Sequence, residues 1–248
     1  MSSLLLLHGY PMAGSAFSQV RTALDPAIDV HTPDLLGFGD EGWPADGDLS
    51  MEAQADHVQA YLDTRGITAA VVVGFSMGGY VALALAERAP ERVAALGLVG
   101  SKSDPDTPEG RDARDQQAET VVTRGAVAIV DPLTEALTAP GSDLIVRARL
   151  RTLIESTSVE TYVSALAGMR DRPDRTAVIA DYRGPFAIQV GTLDPVVSVD
   201  RASELAATAR NGRLEVLDGI GHMIPFEAPH AMATFCAELV ERASRTDS

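Results

Sequence analysis

Residues 74–78 read Gly-Phe-Ser-Met-Gly, a Gly-x-Ser-x-Gly pattern centred on Ser76. A serine hydroxyl is a weak nucleophile until it is exposed, aimed and placed beside a base. This serine follows Val71-Val72-Val73, part of an apolar run of strand length over 70–73. It precedes residues 77–89, which are apolar nearly all round until Pro90 stops them. A tight strand-to-helix turn would lift the Ser76 Oγ above a sheet. Glycines two residues to either side would let neighbouring backbone pass where a Cβ would clash. The same turn would point the Met77 backbone N–H, at a helix N-terminus, to the place where an oxyanion forms. The bare pattern is common; its position between strand and helix is what marks a nucleophile rather than an ordinary glycine-rich turn.

A nucleophilic serine requires a base and a carboxylate that orients the base and stabilises its protonated form. Of the five histidines, His222 lies in Gly219-Ile220-Gly221-His222-Met223-Ile224-Pro225, a non-helical loop between the last strand and the last helix. A loop over a sheet edge is where a base belongs. His8 ends the first strand and reads as a buried histidine bracing the loop after it. His31, His57 and His230 read as ordinary surface or core side chains. Asp194, in Gly191-Thr192-Leu193-Asp194-Pro195, stands at a strand end one strand-helix-strand unit before His222, giving the chain order Ser, Asp, His. Asp104 is its rival, in a looser acidic loop after the strand that ends at Val99. Asp181, Asp200 and Asp218 read as capping or solvated charges. The loop His8-Gly9-Tyr10-Pro11 is the natural source of a second oxyanion donor, the Tyr10 N–H, because Pro11 has none to give.

These residues need a scaffold that brings distant loops to one edge. Strand-length runs at 4–7, 28–30, 70–73, 93–99, 186–190 and 214–217 alternate with helical stretches at 15–24, 50–65, 77–89, 199–210 and 229–242. That alternation predicts an α/β fold with a parallel sheet between helices. From 103 to 183 the alternation fails: helical patterns fill 111–124, 126–137, 143–156 and 158–169, with no buried strand. An interval this long exceeds ordinary connections and reads as a helical cap insertion, leaving 1–102 and 184–248 as the core.

Composition narrows the partners. The chain has 248 residues with a formal net charge of −15, a surface that repels phosphate backbones and anionic lipid heads. No nucleic-acid or membrane partner is expected, and a monomer or homodimer acting on a small molecule is. Cys236 is the only cysteine, so no internal disulfide or multi-cysteine metal site can form. The start, Met-Ser-Ser and four leucines, lacks the basic region and cleavage site of a signal peptide, which predicts a cytoplasmic location.

Five segments together resemble the α/β-hydrolase superfamily. They are His8-Gly9, Asp34-Leu35-Leu36-Gly37-Phe38-Gly39, the turn around Ser76, Asp194 with Gly191 before it, and His222 with Pro225, Glu227 and Pro229 after it. The resemblance spans 4–241 apart from the insertion and is nearest to small bacterial carboxylesterases and enol-lactone hydrolases, which share Gly-x-Ser-Met-Gly-Gly. It implies an α/β-hydrolase fold of about six mostly parallel strands with a helical cap. It also implies a catalytic Ser76, Asp194 and His222, oxyanion donors at Tyr10 and Met77, and no metal or organic cofactor. The His-Gly loop arrives at residue 8, too early for the two antiparallel strands that often precede it. A serine in place of aspartate argues against a haloalkane dehalogenase. The implied activity is hydrolysis of a carboxylic ester or lactone; the alternatives are thioester, carbon–carbon or cofactor-free peroxide chemistry at the same serine, or a non-catalytic receptor that keeps the pocket. Tyr162, Leu166, Met169, Phe38 and Trp43 are candidate pocket lining, although for any one of them simple core packing is the stronger reading.

Overall fold

The computed structural model describes residues 3–246; positions 1, 2, 247 and 248, the outer ends of the expected core, lie outside the described residues. Six strands form one sheet, all pairs parallel, in the order β2-β1-β3-β4-β5-β6. In chain order the elements are β1 (Ser3–Leu7), α1 (Ser18–Ala23), β2 (Val30–His31), α2 (Met51–Thr64), β3 (Ala70–Phe75), α3 (Met77–Arg88) and β4 (Val93–Val99). Five helices follow without a strand: α4 (Pro108–Arg124), α5 (Val127–Leu137), α6 (Leu144–Ser156), α7 (Val159–Arg170) and α8 (Thr176–Asp181). The chain then returns to the sheet with β5 (Phe186–Gly191), α9 (Val199–Thr208), β6 (Gly212–Leu217), α10 (Ile224–Glu227) and α11 (Pro229–Thr246).

The strands are continuous apolar runs because helices cover both faces of the sheet. Every residue of β3 is buried, as are Leu4–Leu7 of β1, whereas the edge strand β6 is only partly covered. Helix α3 buries ten of its residues, since it packs between layers rather than on the surface. Helix starts follow capping chemistry: the side chains of Ser50, Thr107 and Asp143 accept the N–H groups of Ala53, Gly110 and Ile145. Pro108 occupies the first turn of α4, where a missing N–H costs nothing. Cys236 faces the core from α11 and is fully buried.

Several element bounds shift and α8 adds a helix to the four expected over 103–183; two of the shifts have a visible local cause. The second strand is Val30–His31 rather than 28–30, because the N–H of Ile28 is taken by Asp25 O in a turn. The helix expected over 15–24 begins as a 3-10 turn at Gly14–Phe17 and becomes α-helical only at Ser18. Neither change reaches the sheet edge that matters. Register aligns Leu7 with Gly74, Phe75 with Val99, and Gly191 with Leu217, so the loops leaving β1, β3, β4, β5 and β6 gather at one carboxyl edge. Among the described residues no helix is long and apolar enough to cross a membrane.

Candidate active site

Ser76 joins β3 to α3 with φ 52° and ψ −118°, the only positive φ among the described non-glycine residues. That conformation is disfavoured for any residue with a Cβ and persists only because its surroundings fix it. Its N–H donates to Val99 O (2.9 Å), while its carbonyl accepts the Gly79 N–H (2.9 Å) and the Ser101 hydroxyl (2.7 Å). The flanking glycines are dictated by contact. A Cβ on Gly78 would lie 2.1 Å from Leu7 O, and one on Gly74 would lie 2.2 Å from Gly78 O. Gly9 approaches from the β1 loop so closely that a Cβ there would meet the Ser76 Cβ at 2.9 Å.

The loop after β6 brings His222 to this serine. His222 Nε2 lies 2.9 Å from Ser76 Oγ, and its Nδ1 lies 2.9 and 3.1 Å from the two carboxylate oxygens of Asp194. A carboxylate accepts only, so Nδ1–H donates to Asp194, Nε2 is left as the acceptor, and the Ser76 hydroxyl donates to it. His222 is 2% exposed and its ring packs 5.2 Å from that of Phe75, whereas Ser76 itself stays partly open. The Asp194 Oδ1 also accepts the N–H groups of Val196 (2.7 Å) and Val197 (3.1 Å). Burial alone would raise the Asp194 carboxyl; the His222 imidazole and these two amides outweigh it and hold the group below its ordinary value. It is therefore ionised around neutrality.

Asp104, the rival acid, is taken by Arg201 of α9, whose guanidinium donates to both of its oxygens (2.9 and 2.5 Å). Asp218 accepts the Thr192 hydroxyl, Asp200 sits in the first turn of α9, and Asp181 ends α8. His8 is fully buried; its Nε2 accepts the Leu35 N–H (3.0 Å) and its Nδ1–H donates to Gly9 O (3.0 Å). Burial pushes its pKa down to about 4, against smaller opposing effects of Gly9 O and Asp34. It is a neutral brace between two loops. His31 pairs with Asp29, and His57 reaches Asp34 O.

Met77 opens α3, so its N–H projects from the helix N-terminus beside Ser76. Neither that N–H nor the Tyr10 N–H takes part in the loop and cap hydrogen bonds of the described residues. Both are thus free to meet an acceptor. The Tyr10 ring packs edge-on against Tyr162 at 5.6 Å, which places α7 over the β1 loop. Tyr162, Leu166, Met169 and Phe38 are buried; Trp43 is 46% exposed, its indole beside Gly47.

Gly100, Ser101 and the bond made by Glu227, a residue already noted downstream of His222, escaped the sequence reading. Gly100, at φ 52°, lies so near the Asp–His pair that a Cβ would sit 3.1 Å from Asp194 Oδ2 and 3.2 Å from His222 Nδ1. Ser101 holds the Ser76 carbonyl. Glu227 accepts the Gly221 N–H (2.6 Å) immediately before His222. A glycine directly after a strand-length apolar run is a signal the sequence carries; the partners of Ser101 and Glu227 are not. Among the described residues no group of three or more His, Cys, Asp or Glu is placed to hold a metal ion.

The sequence profile of a family described as alpha/beta hydrolase fold matches residues 3–129. A 2-hydroxymuconate semialdehyde hydrolase of a Pseudomonas species is 41% identical over 115 residues, a match spanning 44% of this chain and only 40% of that relative. A pimeloyl-(acyl-carrier protein) methyl ester esterase of Aromatoleum aromaticum is 29% identical over 98% of both chains. Among solved structures, a thermophilic esterase from Thermogutta terrifontis superposes with a TM-score of 0.92 at 29% identity, covering 98% of this chain and 90% of that one.

Proposed function

The chain belongs to the α/β-hydrolase fold family, and on that premise we propose that it is a serine hydrolase cleaving a carboxylic ester or lactone of a small molecule through an acyl-enzyme on Ser76. The single observation that carries this reading is the unbroken line from Ser76 Oγ through the His222 imidazole to Asp194. His222 takes the hydroxyl proton as Oγ attacks the carbonyl carbon, and Asp194 remains ionised opposite the imidazolium that forms. The Tyr10 and Met77 N–H groups receive the developing oxyanion, each lowering the barrier by about 3 kcal/mol. The imidazolium then protonates the leaving alcohol. Water, activated by the same Nε2, attacks the acyl carbon and restores the serine.

Residues 103–183 serve as a cap that selects the acyl and alcohol groups. The seating of α7 on the core supports this: Thr161 donates to Gly37 O (2.9 Å) and Ser164 to Gly47 O (2.7 Å). The full-length likeness to an ester hydrolase favours esters. The partial likeness to a semialdehyde hydrolase motivates a second reading, cleavage of a carbon–carbon bond at the same serine.

A fluorophosphonate probe, together with a panel of short-chain aryl esters and lactones, tests the proposal. Wild type is expected to label and to turn over at least one ester or lactone, and Ser76→Ala to do neither. A folded wild type that neither labels nor hydrolyses any of them would sink it. Turnover of a vinylogous diketone but no ester would favour the carbon–carbon reading.

A further inference from the structure

The turn between α5 and α6 lies against the loop that carries His222, and one carboxylate joins them. Glu227, the last residue of α10, accepts the Gly221 N–H on Oε2 (2.6 Å). On Oε1 it accepts the Ala139 N–H (2.8 Å) and the Ser142 hydroxyl (2.9 Å). The His222 N–H itself donates to Leu137 O (3.0 Å), at the end of α5. Gly221 has no room for a side chain because a Cβ would lie 2.5 Å from Ala139 N. Helix α6 is held down nearby: Arg149 donates to Gln19 and Ser18 and lies 4.9 Å from the Phe226 ring. The ring of His222 is thus oriented by Asp194, but the backbone that carries it is bonded to the inserted helices.

We propose that Glu227 is a positioning residue that makes the alignment of His222 conditional on the seating of the 138–142 turn. The inference rests on the reading of His222 as the base. Three donors converge on the two oxygens of one carboxylate, an arrangement a carboxylate satisfies in full and an amide does not. Gln at this position would keep one acceptor oxygen and turn an NH2 toward N–H or O–H donors on the other side. When the turn lifts, Glu227 loses two of its three partners, and Leu137 O leaves the His222 N–H at the same time. The base then loses its fixed distance to Ser76. Substrate entering beneath the inserted helices would therefore meet an aligned base only once the turn is down.

The test compares wild type, Glu227→Gln, Glu227→Asp, Ser142→Ala and the Glu227→Gln/Ser142→Ala double variant on one aryl ester, with His222→Ala as reference. Glu227→Gln is expected to lower kcat about 30-fold with KM changed less than about threefold, and Glu227→Asp to recover part of that loss. Ser142→Ala is expected to lower kcat about threefold, and to add nothing in the double variant, because both substitutions act on the same carboxylate. A wild-type kcat in Glu227→Gln, a multiplicative loss in the double variant, or a loss that only follows the unfolded fraction in a thermal melt would each overturn it. If Glu227→Gln does not fold, Ser142→Ala decides: an unchanged kcat overturns the proposal. His222→Ala separates the two levels. If it is inactive while Glu227→Gln matches wild type, only this inference fails; if it stays active, the reading beneath it fails.

Discussion

At the scale of single residues, one carboxylate fixes the chemical form of its neighbour. Because Asp194 can only accept, it dictates which imidazole nitrogen of His222 carries the proton. Its Oδ1 is already committed to two backbone amides. In Asp194→Asn the amide oxygen would keep those amides, and the NH2 would face Nδ1. The imidazole would flip to the Nε2–H form and could no longer accept from Ser76. We expect kcat to fall about 10⁴-fold with the fold intact; turnover of a saturating aryl ester measures it, and a loss under tenfold would refute the role. His8 gives a second expectation. Its folded value of about 4 lies below the 6.5 of a free imidazole, so the unfolded chain binds the extra proton between them. Stability from this group is complete above about pH 6.5 and is lost as pH falls toward 4, by about 3 kcal/mol. Urea midpoints at pH 7.5 and 4.5 should differ in wild type and draw together in His8→Gln; an unchanged gap would assign the titration elsewhere. The sequence distinguished Asp194 from Asp104 through their distance from a strand end. It did not show that Arg201, 97 positions away, occupies Asp104, because nothing in local pattern records which cation a folded chain brings near.

Elements hold these residues through close approach, and glycine marks where. Gly100 follows β4 with a positive φ, and its missing Cβ leaves the space that Asp194 and His222 fill. Gly100→Ala should strain the backbone by about 1 kcal/mol and push the pair by a few tenths of an ångström. The expected result is a folded protein with kcat lowered about tenfold or more. A thermal melt beside steady-state kinetics checks it, and full activity would show that the pair has slack. Gly78→Ala is harsher, since its Cβ would lie 2.1 Å from backbone that cannot swing aside; little folded protein should be recovered. The central strands were readable because a sheet covered on both faces demands unbroken apolar runs. The start of β2 was expected two residues too early because two pairings with β1 suffice to hold it, too few to impose a pattern. The tie from Glu227 to Ala139 spans 88 positions between irregular segments, where neither period 2 nor period 3.6 applies.

For the molecule as a whole, the alternation of strand and helix made the fold legible, and its interruption made legible the run of helices between β4 and β5. How the inserted helices dock was not, since docking depends on single polar contacts such as Arg175, which bridges Glu87 of α3 and Glu52 of α2 from the stretch before α8. The formal charge of −15 is carried by one compact body, so like charges repel across its surface. Raising sodium chloride from about 0.05 to 0.5 M should therefore raise the melting temperature. A fall in a calorimetric salt series would mean that ion pairs such as those of Arg175 dominate. The buried thiol has a practical corollary. Cys236 is sealed in the core, and burial raises its pKa far above the usual thiol value, so it offers no thiolate to a reagent. A cysteine installed at Leu144, which is 81% exposed at the start of α6, would then be the one handle a maleimide dye could reach in the folded protein. Fluorescence from that handle would report whether the proposed unseating of the neighbouring 138–142 turn takes place, free of background from the native chain.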